Sequence, residues 1–199
     1  MRVVGIDLAG SEKRPTGFCV LDENLNCKTS ILFSDREIIS STLKAKPRIV
    51  SIDAPLSIPK GRKSIHDRKG PHLRECDREL LRMRIKFFPI TLGPMRKLTE
   101  RGIKLKRIFE KKGLKVIETF PGAAQDILKI PRKQEGLEKL RKGLIKLGIK
   151  GDVFKKKVSG DELDAITCAL VGKMFLEGKF LAIGDKEEGL MILPPLKDF

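Results

Sequence analysis

Three short aliphatic runs, residues 2–8 (RVVGIDL), 48–54 (RIVSIDA) and 114–120 (LKVIETF), each carry a carboxylate: Asp7, Asp53 and Glu118. Runs of this length, rich in β-branched residues and closed by Gly or Pro, read as buried strands. A lone carboxylate is costly to bury, so each of these acids must face a cation or line a site. This constrains the chain more than any other feature. A sheet must form that places acids where strands end.

The rest of the pattern supplies that sheet. Residues 16–21 (TGFCVL) and 27–33 (CKTSILF) read as two more strands around the turn at 22–26, which makes the first three strands an antiparallel meander. Residues 35–45 have helical spacing, with Ser34 as N-cap and Pro47 as the stop. Helices are expected over 75–86, 95–111, 123–129, 134–147 and 159–176, with two short strand-like pieces and a turn at Glu187-Glu188-Gly189 in the tail. Strands 48–54 and 114–120 return by helical crossovers and so run parallel to the first. The expected fold class is α/β: a mixed five-stranded sheet, antiparallel meander plus parallel strands, flanked by helices. The chain of 199 residues fits a single domain, 1–199, with a basic, mostly helical insertion at 60–112.

Charge sharpens that boundary. The formal charge is +16, and segment 60–112 alone has 18 Lys and Arg against 6 Asp and Glu, a net of +12. A concentrated positive segment points to polyanions, nucleic acid first, and either DNA or RNA. Lys60, Arg62, Lys63, Arg68, Lys69, Arg74, Arg96 and Lys97 are the candidate phosphate-binding residues. The chain has no Trp or Tyr, so a groove that tracks the backbone is favoured over a base-stacking platform. Phe87-Phe88-Pro89 is accordingly read as core packing. No apolar run has the length of a membrane span and the N-terminus lacks a secretory pattern, so a cytoplasmic location is expected. The four cysteines form no CxxC pair and are expected to be reduced. Two Asn and two Gln among many Lys, Arg and Glu give the composition of a heat-adapted protein.

The acids converge by sequence logic. In α/β sheets, sites form at the C-terminal ends of parallel strands, where Asp7, Asp53 and Glu118 lie. Residues 159–165 (SGDELDA) open the last helix with Asp161 and Asp164 three apart and on one face. Small Ala165 and Ala169 let that helix lie close to the sheet. Oxygen ligands without His or Cys select Mg²⁺ or Mn²⁺. Two such ions suit phosphodiester hydrolysis. Asp7, Asp53, Glu118, Asp161 and Asp164 are the candidate catalytic residues, and Asp7, Asp53, Glu118 and Asp164 the candidate metal ligands.

These motifs resemble the ribonuclease H-like fold, in the order seen in RuvC-type Holliday-junction resolvases. Gly5-Ile6-Asp7-Leu8-Ala9-Gly10, Ile52-Asp53-Ala54-Pro55-Leu56, Phe88-Pro89-Ile90-Thr91, Glu118-Thr119-Phe120-Pro121 and Asp161-Glu162-Leu163-Asp164-Ala165 are similar to an archaeal and bacterial family of predicted nucleases with this fold. The resemblance implies that Asp7, Asp53, Asp161 and Asp164 occupy the resolvase acid positions, with Asp where the resolvases have Glu on the fourth strand. Glu118 has no clear place in the resolvase set and is read as a replacement for one helix acid, ranking after Asp7, Asp53 and Asp164 and before Asp161. The implied activity is a divalent-metal-dependent nuclease. The same Gly5–Ser11 stretch resembles the first phosphate loop of the actin and sugar-kinase superfamily, so a phosphate- or nucleotide-binding enzyme is the second reading, with a homodimer to supply the second wall of its site. A non-catalytic nucleic-acid-binding module is the third.

Overall fold

The computed structural model of the protein describes residues 1–155 and 157–196. Positions 156 and 197–199 of the expected domain lie outside the described residues. Strands β1 (Arg2–Asp7), β2 (Thr16–Asp22) and β3 (Asn26–Leu32) form the antiparallel meander. Helix α1 (Asp35–Ala45) returns the chain to β4 (Ile49–Asp53), parallel to β1. Helices α2 (Glu75–Arg82) and α3 (Gly93–Lys111) lead to β5 (Val116–Thr119), parallel to β4. Then follow α4 (Pro121–Ile127), a 3-10 turn at Lys133–Glu135, α5 (Leu137–Lys146) and a two-residue β6 (Lys150–Gly151). The chain ends in α6 (Gly160–Leu176) and the hairpin of β7 (Leu181–Asp185) and β8 (Gly189–Leu193).

The sheet order is β6-β3-β2-β1-β4-β5-β8-β7. The five strands read from the sequence are all present, and among the described residues the sheet has eight, because the two strand-like pieces of the tail join it as β7 and β8 and β6 is added. β8 joins β5 in parallel and carries β7 with it, while β6 pairs with the outer edge of β3. These pairings depend on where α5 and α6 deliver the chain, which no local pattern reveals.

Helix ends follow their chemistry. Ser34 and Glu37 cap α1 reciprocally: the Glu37 amide donates to Ser34 Oγ at 3.2 Å, and the Ser34 amide to Glu37 Oε2 at 2.8 Å. Ser159 and Glu162 repeat the device on α6. Helix α2 ends at Arg82, four residues before the expected end. Arg84 turns left-handed (φ 60°), and the Ile85 amide reaches back to the Leu80 carbonyl. Helix α3 begins two residues earlier than expected, with Pro94 in its first turn, where a missing amide costs nothing. Thr91 does not cap it; its hydroxyl meets His72 Nδ1 at 2.9 Å.

Helices cover both faces of the sheet. Val3, Leu21, Ile49 and Ile117 pack against Leu163, Ile166 and Leu170 of α6 and Leu140 and Leu144 of α5. On the opposite face, Val4, Ile6, Val50 and Ile52 meet Ile38 of α1 and Leu105 and Phe109 of α3. A third cluster joins Leu80 of α2 to Ile183 and Met191 of the final hairpin. Segment 60–112 therefore contributes α3 to the core of the sheet and α2 to its far end.

Helix α6 lies directly on the meander. A Cβ at Gly5 would come within 2.1 Å of the Ala165 carbonyl oxygen, and one at Gly17 within 1.9 Å of that of Asp161. Small residues on the sheet side, as well as Ala165 and Ala169 on the helix, set this approach. No helix among the described residues is long and apolar enough to cross a membrane. The four cysteines are free and buried.

Candidate functional site

Register decides which acids can meet. Asp7 is paired with Asp53 across β1 and β4, and Asp53 with Thr119 across β4 and β5. Residues paired in this way project from the same face, here the face covered by α6. Glu118 is one residue out of step. It pairs in register with Ile52, whose side chain lies in the opposite core. The sheet thus brings Asp7 and Asp53 together and sends Glu118 through to the other side.

There Glu118 is fully engaged. Arg74 grips it with two guanidinium bonds of 2.8 Å, and the Leu56 amide donates to Oε2 at 2.7 Å. The same guanidinium holds both oxygens of Asp77, at 2.9 and 3.1 Å. Arg74 is 1% exposed and Glu118 5%. Forked bonds of this kind fix geometry as well as charge. The cation required by the strand-five acid is therefore an arginine of the basic segment.

Asp161 and Asp164 are delivered by the first turn of α6. Glu162 between them turns away, to cap the helix and to accept from Thr29 Oγ1 at 2.7 Å. The ammonium of Lys133, from the 3-10 turn, lies among three acids. It is 2.8 Å from Asp164 Oδ2, 3.2 Å from Asp161 Oδ1 and 3.4 Å from Asp7 Oδ2. Buried Gln125 of α4 orients Asp164, donating to Oδ1 at 2.7 Å, and also donates to Thr167 at 3.2 Å. Asp53 stands beside Asp7 in register across β1 and β4, and the neighbouring carboxyl adds to the cost of ionising it.

Electrostatics follow from this crowding. Burial pushes the Asp7 carboxyl up to about 7, against the pull of Lys133, and Asp164 and Asp161 add to the rise. Burial, then Asp7 and Asp164, hold Asp53 well above the carboxylate range. Burial disfavours the charge on Lys133, but Asp7, Asp164 and Asp161 outweigh it and raise its pKa. The cluster is an excess of negative charge closed by one internal cation.

The donor set fits a hard divalent cation in its chemistry: every converging ligand is a carboxylate oxygen. The spacing is that of an ammonium site. Among the described residues, no group of three or more His, Cys, Asp or Glu stands in metal-holding geometry. Oxygens at 2.8–3.4 Å from Nζ would have to close to about 2.1 Å for Mg²⁺.

The basic candidates divide. Arg74 is committed to Glu118 and Asp77. Arg62 is buried and ties its own loop, donating to the carbonyls of Asp67, Gly70 and Pro71. Lys60 pairs with Asp185 and Glu187 beside the final hairpin. Arg96 Nε donates to the Thr91 carbonyl at 2.7 Å. Lys63, Arg68, Lys69 and Lys97 are exposed.

A cleft of about 870 Å³ is lined by Asp53, Asp164 and Lys133 together with residues of segment 80–98, among them Phe87, Phe88 and Met95. Its cations include Arg74, which the sequence reading named, and Arg84, Lys86, Arg132 and Lys133, which it did not. Gln125 and Lys133 were also missed. Their only signal is compositional for Gln125, one of two glutamines in the chain; a lysine among 42 Lys and Arg carries none.

Gly17 lies under the helix turn that carries Asp161. Gly17→Ala is expected to lift the start of α6, with a melting-temperature loss as overpacking of roughly 1–3 kcal/mol demands. Thermal melting checks it, and an unchanged melting temperature would disprove the close approach of helix and strand at this position.

No curated protein sequence matches the chain. Among solved structures, T. thermophilus RuvC in complex with Holliday junction substrate superposes with a TM-score of 0.53 at 14% identity, covering 89% of this chain and 97% of that one. A second Thermus thermophilus RuvC structure matches at a TM-score of 0.49 and 12% identity, with the same coverage. The fold is ribonuclease H-like. The family model described as "Protein of unknown function (DUF429)" matches residues 5–189, and the chain belongs to that family.

Proposed function

We propose that the protein is a divalent-metal-dependent nuclease that hydrolyses phosphodiester bonds of nucleic acid. The observation that carries this is the convergence of Asp7, Asp161 and Asp164 on one cation position, with Asp53 in register beside Asp7 at the strand ends. Asp7, Asp53 and Asp164 would hold Mg²⁺ or Mn²⁺, with Asp161 at the rim. When bound, a pair of such ions activates water and steadies the leaving oxygen. Gln125 keeps Asp164 aimed at the site, and the α6 capping box fixes the helix turn that presents both acids. Lys133 neutralises the cluster between turnovers and must swing out when a divalent cation enters. From the cleft wall it can then reach a phosphate oxygen. The likeness to RuvC, solved on a Holliday junction, supports nucleic acid as the substrate class. Segments 1–59 and 113–199 would work with 60–112 as one domain, the basic segment walling the cleft.

The test is cleavage of end-labelled DNA and RNA oligonucleotides, single-stranded, duplex and branched, in Mg²⁺ or Mn²⁺ with an EDTA control. Cleavage that requires the metal is expected. Intact substrates in every metal, with protein that melts cooperatively, would remove the nuclease reading.

A further inference from the structure

We infer that the cleft beside the carboxylates is a pocket for an unpaired nucleobase, so that the substrate is single-stranded or locally unpaired at the scissile bond. This rests on the nuclease reading and names its substrate class.

The cleft has two chemistries in one volume. Asp53, Asp164 and Lys133 line it, as does the mutually paired Arg74–Glu118–Asp77 cluster; the apolar and aromatic part of the lining is Leu80, Phe87, Phe88, Ile90, Met95 and Phe120. A groove built only to follow a sugar-phosphate backbone needs cations, not this apolar wall. Faces of bases do need it, and in a duplex those faces are stacked away. At about 870 Å³ the cleft lies within the range of small-ligand sites, about 300–1,000 Å³, and holds a nucleotide.

Phe88 gives the sharpest indication. The sequence reading assigned it to the core, yet it is 71% exposed at the cleft. An aromatic ring left in water beside an apolar cleft is positioned to stack on an incoming base. Phe120 is already stacked on one side by a cation, with the Arg132 guanidinium 5.5 Å from its ring centroid. Exposed Arg84 and Lys86 share the same wall, so positive charge borders the apolar part where phosphates on either side of the base would pass. Charge complementarity thus selects an anionic chain over a neutral apolar ligand. A base seated among the rings places its phosphate toward Lys133 and the acids.

The experiment measures binding without metal, in EDTA at low salt, so that no cleavage occurs. The probes are a single-stranded oligonucleotide with one 2-aminopurine, the same strand abasic at that position, and its full duplex. The chain has no Trp or Tyr to interfere with the probe's emission. The single strand is expected to bind about tenfold more tightly than the abasic strand or the duplex, as one stacked base allows. Phe88→Ala should remove that tenfold advantage with an unchanged melting temperature and unchanged duplex affinity. Arg84→Gly, which suits a left-handed backbone position, should weaken all three probes and reduce the salt slope by about one. Equal affinity for single strand and duplex overturns the proposal. So does a Phe88→Ala variant that keeps the single-strand advantage, or competition by a free mononucleotide with no oligonucleotide binding. Because the readout is metal-free, these outcomes leave the cleavage test above to judge the nuclease reading separately.

Discussion

Asp7→Asn is expected to reduce metal-dependent cleavage by at least about a thousandfold, the several kcal/mol that charge stabilisation by bound metal supplies. Asp7 lies where β1 ends, in register with Asp53, and its Oδ2 shares the Lys133 ammonium with two acids of α6. It is the residue that joins the strand acids to the helix acids. Asn keeps the size and one oxygen but loses the charge. The variant should fold, since it removes a buried carboxyl that desolvation already disfavours as an anion. Asp161→Asn should lose far less, roughly tenfold, because that side chain is about a third exposed at the rim. Cleavage rates on the preferred oligonucleotide, with Mn²⁺ titrations alongside, check the ranking. Cleavage surviving in Asp7→Asn would sink the assignment of the site to this cluster.

Arg74→Met is expected to destabilise the fold by about 3–5 kcal/mol, the usual result of stripping one partner from a buried ion pair. Arg74 neutralises two buried carboxylates, Glu118 and Asp77, through four charged bonds. Its loss strands both. Glu118→Gln should cost less, since Asp77 still pairs with the arginine and the amide oxygen can still accept from Leu56. In melting temperature the arginine variant should fall by roughly 10 °C. Neither variant should alter Mn²⁺ affinity in protein that remains folded. If Glu118→Gln instead abolished Mn²⁺ binding with its stability intact, Glu118 would be a ligand and the face assignment wrong.

Much of the fold is legible locally. The meander, both parallel strands, the caps at Ser34 and Ser159, and the spacing of Asp161 and Asp164 follow from hydrophobic period and capping chemistry. The positions of Asp7 and Asp53 at strand ends follow too. What was not legible depends on register and on distant packing. Glu118 and Asp53 look alike in sequence, each an acid in an apolar run. One residue of register puts them on opposite faces. Phe88 looks like core because it is aromatic beside Phe87 and Pro89; the early end of α2 at Arg82 and the left-handed turn at Arg84 redirect the loop and leave the ring exposed. Lys60, Arg62, Arg74 and Arg96 look like phosphate ligands by charge, but each is already engaged within the protein.

The sequence by itself determined which strands and helices form and which acids are carried at their ends, because period, capping and the cost of buried charge act within a few residues. Only the tertiary structure decided which acids share a face, which lysine closes the cluster and where the apolar cleft opens. Those depend on sheet register and on α6 lying against Gly5 and Gly17, contacts between residues about 140 to 160 apart in the chain, where local pattern has no reach.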